Sequence, residues 1–394
     1  MTQAVIIDAL RTPRGRGNAK GALSGVKPLD LLAVPLRALS DRHDLGARPV
    51  VEAVFGCVTQ TGEQGANIGK LALIAAGYND SVPGLTINRY CASGISALGL
   101  AALRAEAEDG LAIGGGVESM SRVPMGSDKG ALTHDFGFQK AAGLVAIGIS
   151  ADAVATMEGL SRADCDAYAA QSQTRALASR DAGHFTSLVP LGDLSADETP
   201  RAGTTAEGLS ALAPAFAEMG AKYGMDAAIM AHTGLREVSH IHHAGNSPAM
   251  ADGASAVLLA SEGAARRHGL TPRARILSMV DLSVDRVLAL TGSVDAANIA
   301  LARAGLSPDD IDLYEVNESF AALALHFAKH VGVGLDRLNV NGGAIALGHA
   351  MGSTGTALIG TALDELERRG GKRALIAACG AAGLASAMII ERLA

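Results

Sequence analysis

The 394-residue chain reads as an α/β protein built from one layered strand-and-helix unit that occurs twice, with a loop-rich insertion between the copies. Three observations predict this. Short apolar runs alternate with Ala/Leu-rich helical segments as far as Ser121, the signature of helices covering a sheet. Polar loops fill the stretch from Arg122 to His243. The same order of elements then returns.

The elements follow in order. Ala4-Val-Ile-Ile-Asp8 predicts the first strand, and a chain that opens strand-like is expected to carry no signal or transit peptide. A basic turn, Arg11-Thr-Pro-Arg-Gly-Arg16, precedes a helical pattern over Leu29–Arg37. Val51–Val58 reads as a buried strand and Asn67–Ala76 as the helix after it. Gly84-Leu-Thr-Ile87 is a short β-type run that turns at Asn88-Arg-Tyr-Cys91-Ala-Ser-Gly94 into a helix reaching Ala102 and beyond. Gly110–Ser121 is a further buried strand ending in a glycine turn. Within the insertion, Ala151–Met157 and Ala163–Ser179 predict surface helices, the second with Ser161 as its N-cap. Insertions of this kind often cover a ligand cleft. Gly245–Leu259 resumes the strand texture.

The second half repeats the first in order more than in letters. Arg275–Met279 parallels the opening strand and Ile311–Asn317 parallels Val51–Val58. Leu338–Asn341, with Gly348-His349 and the helical run Thr356–Arg369, parallels the Cys91 stretch. Arg373–Gly383 parallels Leu111–Gly116. The predicted boundaries are residues 1–121 plus about 244–270 for the first half, 122–243 for the covering insertion and 271–394 for the second half.

Composition narrows the function. Net charge is −7 and no basic block is present, so nucleic acid is not the expected ligand. Aromatics are 3% with no Trp, and there are 48 glycines, which suits close backbone packing and tight turns. Cys57, Cys91, Cys165 and Cys379 are far apart, so neither a zinc site nor a disulfide framework is expected, and reduced thiols point to the cytoplasm. Gly and charge interrupt the apolar runs, so no membrane span is expected.

Cys91 sits among the free N–H groups of a helix start, which favour thiolate over thiol; a small packing residue is the plain alternative. In the repeated frame Cys91, Asn317, His349 and Cys379 all fall at strand ends, where ligand sites of layered α/β sheets gather. Two thiols, an imidazole and an amide suit acyl transfer through a thioester, with one thiolate as nucleophile, His as base and the second Cys moving a proton. Against this, Cys379 could be core and Asn317 a helix cap. Ser239-His-Ile-His-His243 offers imidazoles at alternate positions, but with no third ligand at suitable spacing, solvent-facing strand polarity is the expected account.

Together these motifs resemble the thiolase family over nearly the whole chain. Asn88–Gly94 resembles its nucleophile motif, Gly115-Gly-Val-Glu-Ser-Met-Ser121 its glycine turn, and Asn317-Glu-Ser-Phe320 its Asn-Glu-Ala-Phe motif. Asn339-Val-Asn-Gly-Gly-Ala-Ile-Ala-Leu-Gly-His349 resembles its histidine motif and Cys379-Gly380 its second cysteine motif. The resemblance implies a duplicated α/β/α/β/α fold and CoA-dependent cleavage of 3-ketoacyl-CoA through a Cys91 acyl-enzyme, of the fatty-acid β-oxidation type. His349 would be the base and Cys379 the proton donor. His349 with an Asn317-held water would form one oxyanion hole, and the N–H groups of Cys91 and Ala381, beside Gly380, the other. Phe320 would line the acyl and pantetheine pocket. No metal or tightly bound cofactor is implied, with CoA as co-substrate. The resemblance also implies a homodimer or homotetramer and leaves room for a hydratase/dehydrogenase partner.

This chain departs from the pattern at three turns. Ala350 stands where the histidine motif usually continues with Pro, and Ala381 and Ala382 stand in a segment usually richer in Gly. An N–H donor survives there if the position does not demand positive φ. Pro248 replaces a common pantetheine-contacting serine, with Ser247 as its substitute. The segment between Phe216 and His243 is longer than in compact biosynthetic members, which tilts the expectation to a degradative enzyme of broader chain range. The alternatives are an acetyl-CoA C-acetyltransferase making acetoacetyl-CoA and a non-catalytic thiolase-like protein binding acyl-CoA or lipid. A β-ketoacyl synthase would typically pair its cysteine with two histidines.

Overall fold

A computed structural model describes residues 3–46 and 48–393. The strands are β1 (Ala4–Arg11), β2 (Gly15–Arg16), β3 (Val50–Gly56), β4 (Gly84–Ile87), β5 (Leu111–Ser119), β6 (Ala251–Ser261), β7 (Ala274–Ser283), β8 (Leu313–Val316), β9 (Arg373–Cys379) and β10 (Leu384–Arg392). They hydrogen-bond in the order β4-β3-β5-β6-β1-β7-β10-β9-β8, with β2 added on β6.

The duplication is explicit in this order. In the first half β3 runs parallel to β5, β5 antiparallel to β6 and β6 antiparallel to β1. In the second, β8 runs parallel to β9, β9 antiparallel to β10 and β10 antiparallel to β7. The edge strand β4, parallel to β3, has its counterpart in a lone parallel bridge between Tyr314 and Leu338. The strand expected at Leu338–Asn341 is thus reduced to one bridge. Asn339 explains this: its φ of 46° breaks the extended chain, and its side chain takes over pairing with the backbone of Val316 through Oδ1 at 2.8 Å and Nδ2 at 2.9 Å. The halves join at a short seam, Val5–Arg275 and Ile6–Ala274.

Hydrophobic burial sets the layers. Helices Ser93–Glu108 and Met351–Arg369 lie in the middle, where Ile95, Leu98, Ile359 and Leu363 pack with Ile6 and Val257 from one half and Ile376 and Ile390 from the other. Small residues on both helices let them sit between two sheet faces, and a helix buried nearly all round is what such a layer requires. Helices Pro28–His43 and Ile68–Ala75 cover the outer face of the first half through Leu32, Leu36 and Leu73 against Phe55 and Leu258. Helices Gly292–Ala304 and Ala321–Val331 cover the second through Leu301 and Phe327 against Tyr314 and Leu375. The result is the α/β/α/β/α layering.

One expectation about the insertion changes. Ser161 caps the helix Arg162–Asp181 with a full capping box, and this helix keeps one face in solvent, at Asp164, Ala167, Gln171 and Ala178, while Cys165, Tyr168 and Ala169 pack inward. The helix Ile147–Glu158 is not a surface element: Ala151, Val154 and Ala155 are buried against Phe320, Leu323 and Ile345. The stretch Phe136–Glu158 also has the length and apolarity of a membrane span, with a mean hydropathy of 1.4. It is folded as two helices, Phe136–Ala142 and Ile147–Glu158, broken at Gly143, whose φ is 69°, and the second helix is covered by protein.

Candidate active site

Cys91 stands in a tight turn between β4 and the helix that opens at Ser93. Tyr90 takes the left-handed φ of 48°, an uncommon conformation for a bulky residue and one that needs support. Asn88 supplies it: its Oδ1 accepts from the Tyr90 N–H at 2.8 Å and its Nδ2 donates to the Val58 carbonyl at 3.0 Å. Ser93 accepts from the Arg89 N–H at 2.7 Å and donates to the Tyr90 carbonyl at 2.6 Å. Arg89 is in turn ion-paired with Asp281 of β7. The turn is therefore tied to both halves.

His349 lies in the loop that follows the Tyr314–Leu338 bridge. Gly348 before it has φ 89°, and a Cβ there would meet the Ala251 Cβ at 2.8 Å, so only glycine brings the histidine this close to β6. The His349 N–H donates to the Ala249 carbonyl at 2.7 Å. Thr354 Oγ1 lies 2.9 Å from Nδ1 and gives its own proton to the Ala350 carbonyl at 3.2 Å. With Nδ1 donating to Thr354, the lone pair falls on Nε2, which is buried with no partner. That is the form of a waiting base. Ala350 has φ −88°, close to a proline's value, so the ring replaced there would have added rigidity without changing the path.

Cys379 ends β9, and its sulfur lies 3.1 Å from Ser319 Oγ. Ser319 accepts from Asn317 Nδ2 at 3.0 Å, which leaves the hydroxyl proton for the sulfur. Asn317 Oδ1 is buried without a partner. Gly380 brings this group to the Cys91 turn: a Cβ there would lie 3.1 Å from the Arg89 carbonyl oxygen and from Tyr90 Cβ, and 3.6 Å from the Cys91 nitrogen. From the other side Met351, two residues past His349, packs with Val58 and Met120 against Tyr90 and Cys91. Cys91, His349, Cys379 and Asn317 thus gather at one end of the two sheet halves.

The remaining expected site residues fall as follows. Phe320 is buried in a cluster with Cys379, edge-on to Phe216 at 5.9 Å and to His242 at 5.1 Å between ring centres. Ser247 Oγ is buried and unpartnered, in the loop whose Ala249 holds His349. At the second cysteine turn the left-handed geometry falls on Ala382, with φ 55°, and on Gly383; Ala381 keeps an ordinary backbone. Its N–H therefore needs no glycine.

The electrostatics overturn one expectation. Although solvent reaches part of Cys91, burial of its sulfur, then Cys379 and Glu118 nearby, push the thiol up to about 12. Burial pushes Cys379 up to about 11, with Ser319 pulling it back. Burial, and then the Arg14 guanidinium, push His349 down to about 3. The helix start does not outweigh this desolvation, because the helix begins only at Ser93, beyond its N-cap Ala92. These shifts favour a thiol at Cys91 and a neutral imidazole at His349.

The histidines of Ser239–His243 are a further correction. They lie outside any strand and point inward: His242 and His243 are 0% and 1% exposed. His240 and His242 share Asp152 at 2.8 and 2.7 Å, and His243 bonds Asp166 at 2.8 Å. Each imidazole is held by a buried carboxylate of an insertion helix, which explains their burial.

Four supporting residues were not singled out from the sequence. Glu118 accepts from the N–H groups of Val58, Thr59 and Gly352 at 3.0, 3.1 and 3.1 Å, tying β3 to the helix after His349. Glu318 accepts from Tyr168, Ser172 and the Ile345 N–H, each at 2.9 Å, fixing the histidine loop. Ser319 stands where the quoted motif has Ala, and that letter was its signal. Arg14 belongs to the basic turn after the first strand, and it is 4% exposed. Its stem lies beside Ala350, since a Cβ on Gly253 would be 3.4 Å from Arg14 Cγ and 3.3 Å from Ala350 Cβ.

Comparison with known proteins agrees with this geometry. The family described as thiolase, N-terminal domain, matches residues 4–230, and thiolase, C-terminal domain, matches 270–392. A 3-ketoacyl-CoA thiolase of Cronobacter sakazakii is 41% identical over 376 residues, covering 91% of each chain. A β-ketoadipyl-CoA thiolase of Pseudomonas putida is 39% identical over 389 residues, covering 91% of this chain and 92% of its own. The crystal structure of the Bacillus anthracis acetyl-CoA acetyltransferase superposes with a TM-score of 0.86 at 30% identity, covering 100% of this chain and 99% of that one. With its paired thiols, its free imidazole nitrogen and both domains matched, the chain belongs to the thiolase family.

Proposed function

We propose that the protein cleaves 3-ketoacyl-CoA with CoA to give acetyl-CoA and a shortened acyl-CoA. The observation that carries the proposal is the seating of Gly380 on the Cys91 turn, which brings two thiols to one cleft with an imidazole whose Nε2 is free. The Cys91 proton passes to His349 as the sulfur adds to the 3-keto carbon. The bond between C2 and C3 then breaks, and the acetyl-CoA enolate takes the Cys379 proton. The proton on His349 returns to Cys379. Free CoA next gives its thiol proton to His349, attacks the acyl-enzyme and releases the shortened acyl-CoA, and that proton goes back to Cys91. Starting from a thiol and a neutral imidazole, this is a sequence of coupled proton transfers in which His349 is charged only transiently.

Developing oxyanions are met by the free Nε2 of His349 once protonated, with a water on the unpartnered Oδ1 of Asn317, and by the N–H groups of Cys91 and Ala381. Phe320 lines the acyl side and Ser247 contacts the pantetheine arm. Residues 122–243 form the covering unit between a first half of 1–121 plus about 244–270 and a second of 271–394. Four unpaired cysteines support a reducing, cytoplasmic setting. A homodimer is supported by the edge strand β4, where Leu85 is 45% exposed, and by Leu71, Ile74, Leu100 and Leu103 on the flanking helices, all exposed.

Cys91→Ser should abolish CoA-dependent loss of the 3-ketoacyl-CoA enolate absorbance; near-full turnover would refute the assignment. In Cys379→Ala, labelled acyl groups should still be trapped on Cys91 while condensation fails. Rates across 3-ketoacyl chain lengths separate this reading from that of an acetyl-CoA acetyltransferase, the activity named for the Bacillus anthracis neighbour.

A further inference from the structure

Where the insertion helix Ile147–Glu158 ends, it meets the last turns of the helix Ala321–Val331, and three ligand-type side chains face one another. Glu158 Oε1 lies 2.9 Å from His326 Nδ1 and 2.7 Å from His330 Nε2. The three donor atoms lie within 4.8 Å of one another. His326 and His330 are one helical turn apart, so both imidazoles project from the same face. Their ring centres are 4.3 Å apart. Glu158 and His326 are each only 12% exposed at the side chain, whereas His330 is 42% exposed and keeps one side open to solvent.

We propose that Glu158, His326 and His330 form a site for a divalent transition-metal ion, separate from the thiol centre. Two imidazoles and a carboxylate are donors that zinc, nickel and cobalt accept, and an opening on one side leaves room for water to complete the coordination. The carboxylate is already oriented: Lys329 Nζ holds Oε2 at 2.7 Å, which turns Oε1 towards the imidazoles, as a ligating carboxylate is held from behind by its own hydrogen bond. In the metal-free protein both imidazoles must donate N–H to the same oxygen. A metal ion replaces two bonds shared on one oxygen by three ligand bonds, and the two nitrogens bind through their lone pairs. The ion would fasten the covering insertion to the helix that begins directly after Phe320.

The test uses the full-length protein, dialysed against EDTA and titrated with CoCl2 while the visible spectrum and the melting temperature are followed. One equivalent should bind with weak d–d bands and no intense sulfur-to-cobalt band, ZnCl2 should displace it, and EDTA should reverse the rise in Tm. His330→Ala, at the exposed ligand, and Glu158→Gln should each lower affinity by ~10-fold or more while melting cooperatively in EDTA. Failure to bind excess metal, a thiolate charge-transfer band, or wild-type affinity in both variants would overturn the site.

Discussion

Ser319 Oγ lies 3.1 Å from Cys379 Sγ while accepting from Asn317 Nδ2 at 3.0 Å. The hydroxyl thus reaches the Cys379 sulfur directly and links it to the Asn317 amide. A donor on the sulfur stabilises its thiolate, the form that would abstract a proton from acetyl-CoA.

Ser319→Ala removes one such bond, typically worth about 0.5–1.5 kcal/mol. Exchange of acetyl-CoA α-protons with deuterated solvent should slow by roughly 3- to 10-fold, while acylation of Cys91 by a substrate that needs no enolate stays unchanged. An equal fall in both rates would place Ser319 in general folding support instead.

Burial pushes Cys91 up to about 12 and His349 down to about 3, which favours the neutral form of each at pH 7. Alkylation of Cys91 by iodoacetamide should therefore keep rising with pH through roughly 6 to 9, because only thiolate reacts. A plateau around neutrality would reveal a thiolate–imidazolium pair.

Arg14 is the second cause of the depressed His349. Its positive charge disfavours imidazolium, so Arg14→Met should raise the His349 pKa and move the acid limb of kcat/KM upward. Burial is the larger cause, so the limb should stay below the ordinary imidazole value of about 6.5. An unmoved or lowered limb would show that Arg14 does not act on the imidazole.

Glu118 carries three backbone N–H donors and Gln64 Nε2 at 0% exposure. Glu118→Ala strands these donors and should cost about 3 kcal/mol or more in urea unfolding, and Glu118→Gln about 1–2 kcal/mol, since the amide oxygen still accepts some of them. Equal losses would mean that packing, and not the acceptor, is what Glu118 supplies.

Much of the architecture was legible along the chain because it is a matter of local pattern. Alternating apolar runs located β1, β3, β4, β5, β8 and β9, and the order of glycine turns exposed the duplication. Ser161 as a helix cap was legible for the same reason, since a cap needs only its own next few residues. The burial of Ser239–His243 was not, because it depends on Asp152 and Asp166, each over seventy positions away. The burial of Arg14 was not legible on equivalent grounds: periodicity says nothing about what covers a loop.

By itself, then, the sequence determined the layered halves, their repeat and the strand ends where Cys91, Asn317, His349 and Cys379 sit, because period and turn chemistry are short-range properties. Only the tertiary structure decided the protonation of those groups. Desolvation and the Arg14 charge act through space to set the thiols high and the imidazole low, with the Ser319 hydroxyl pulling Cys379 partly back, where a helix start alone had suggested a thiolate.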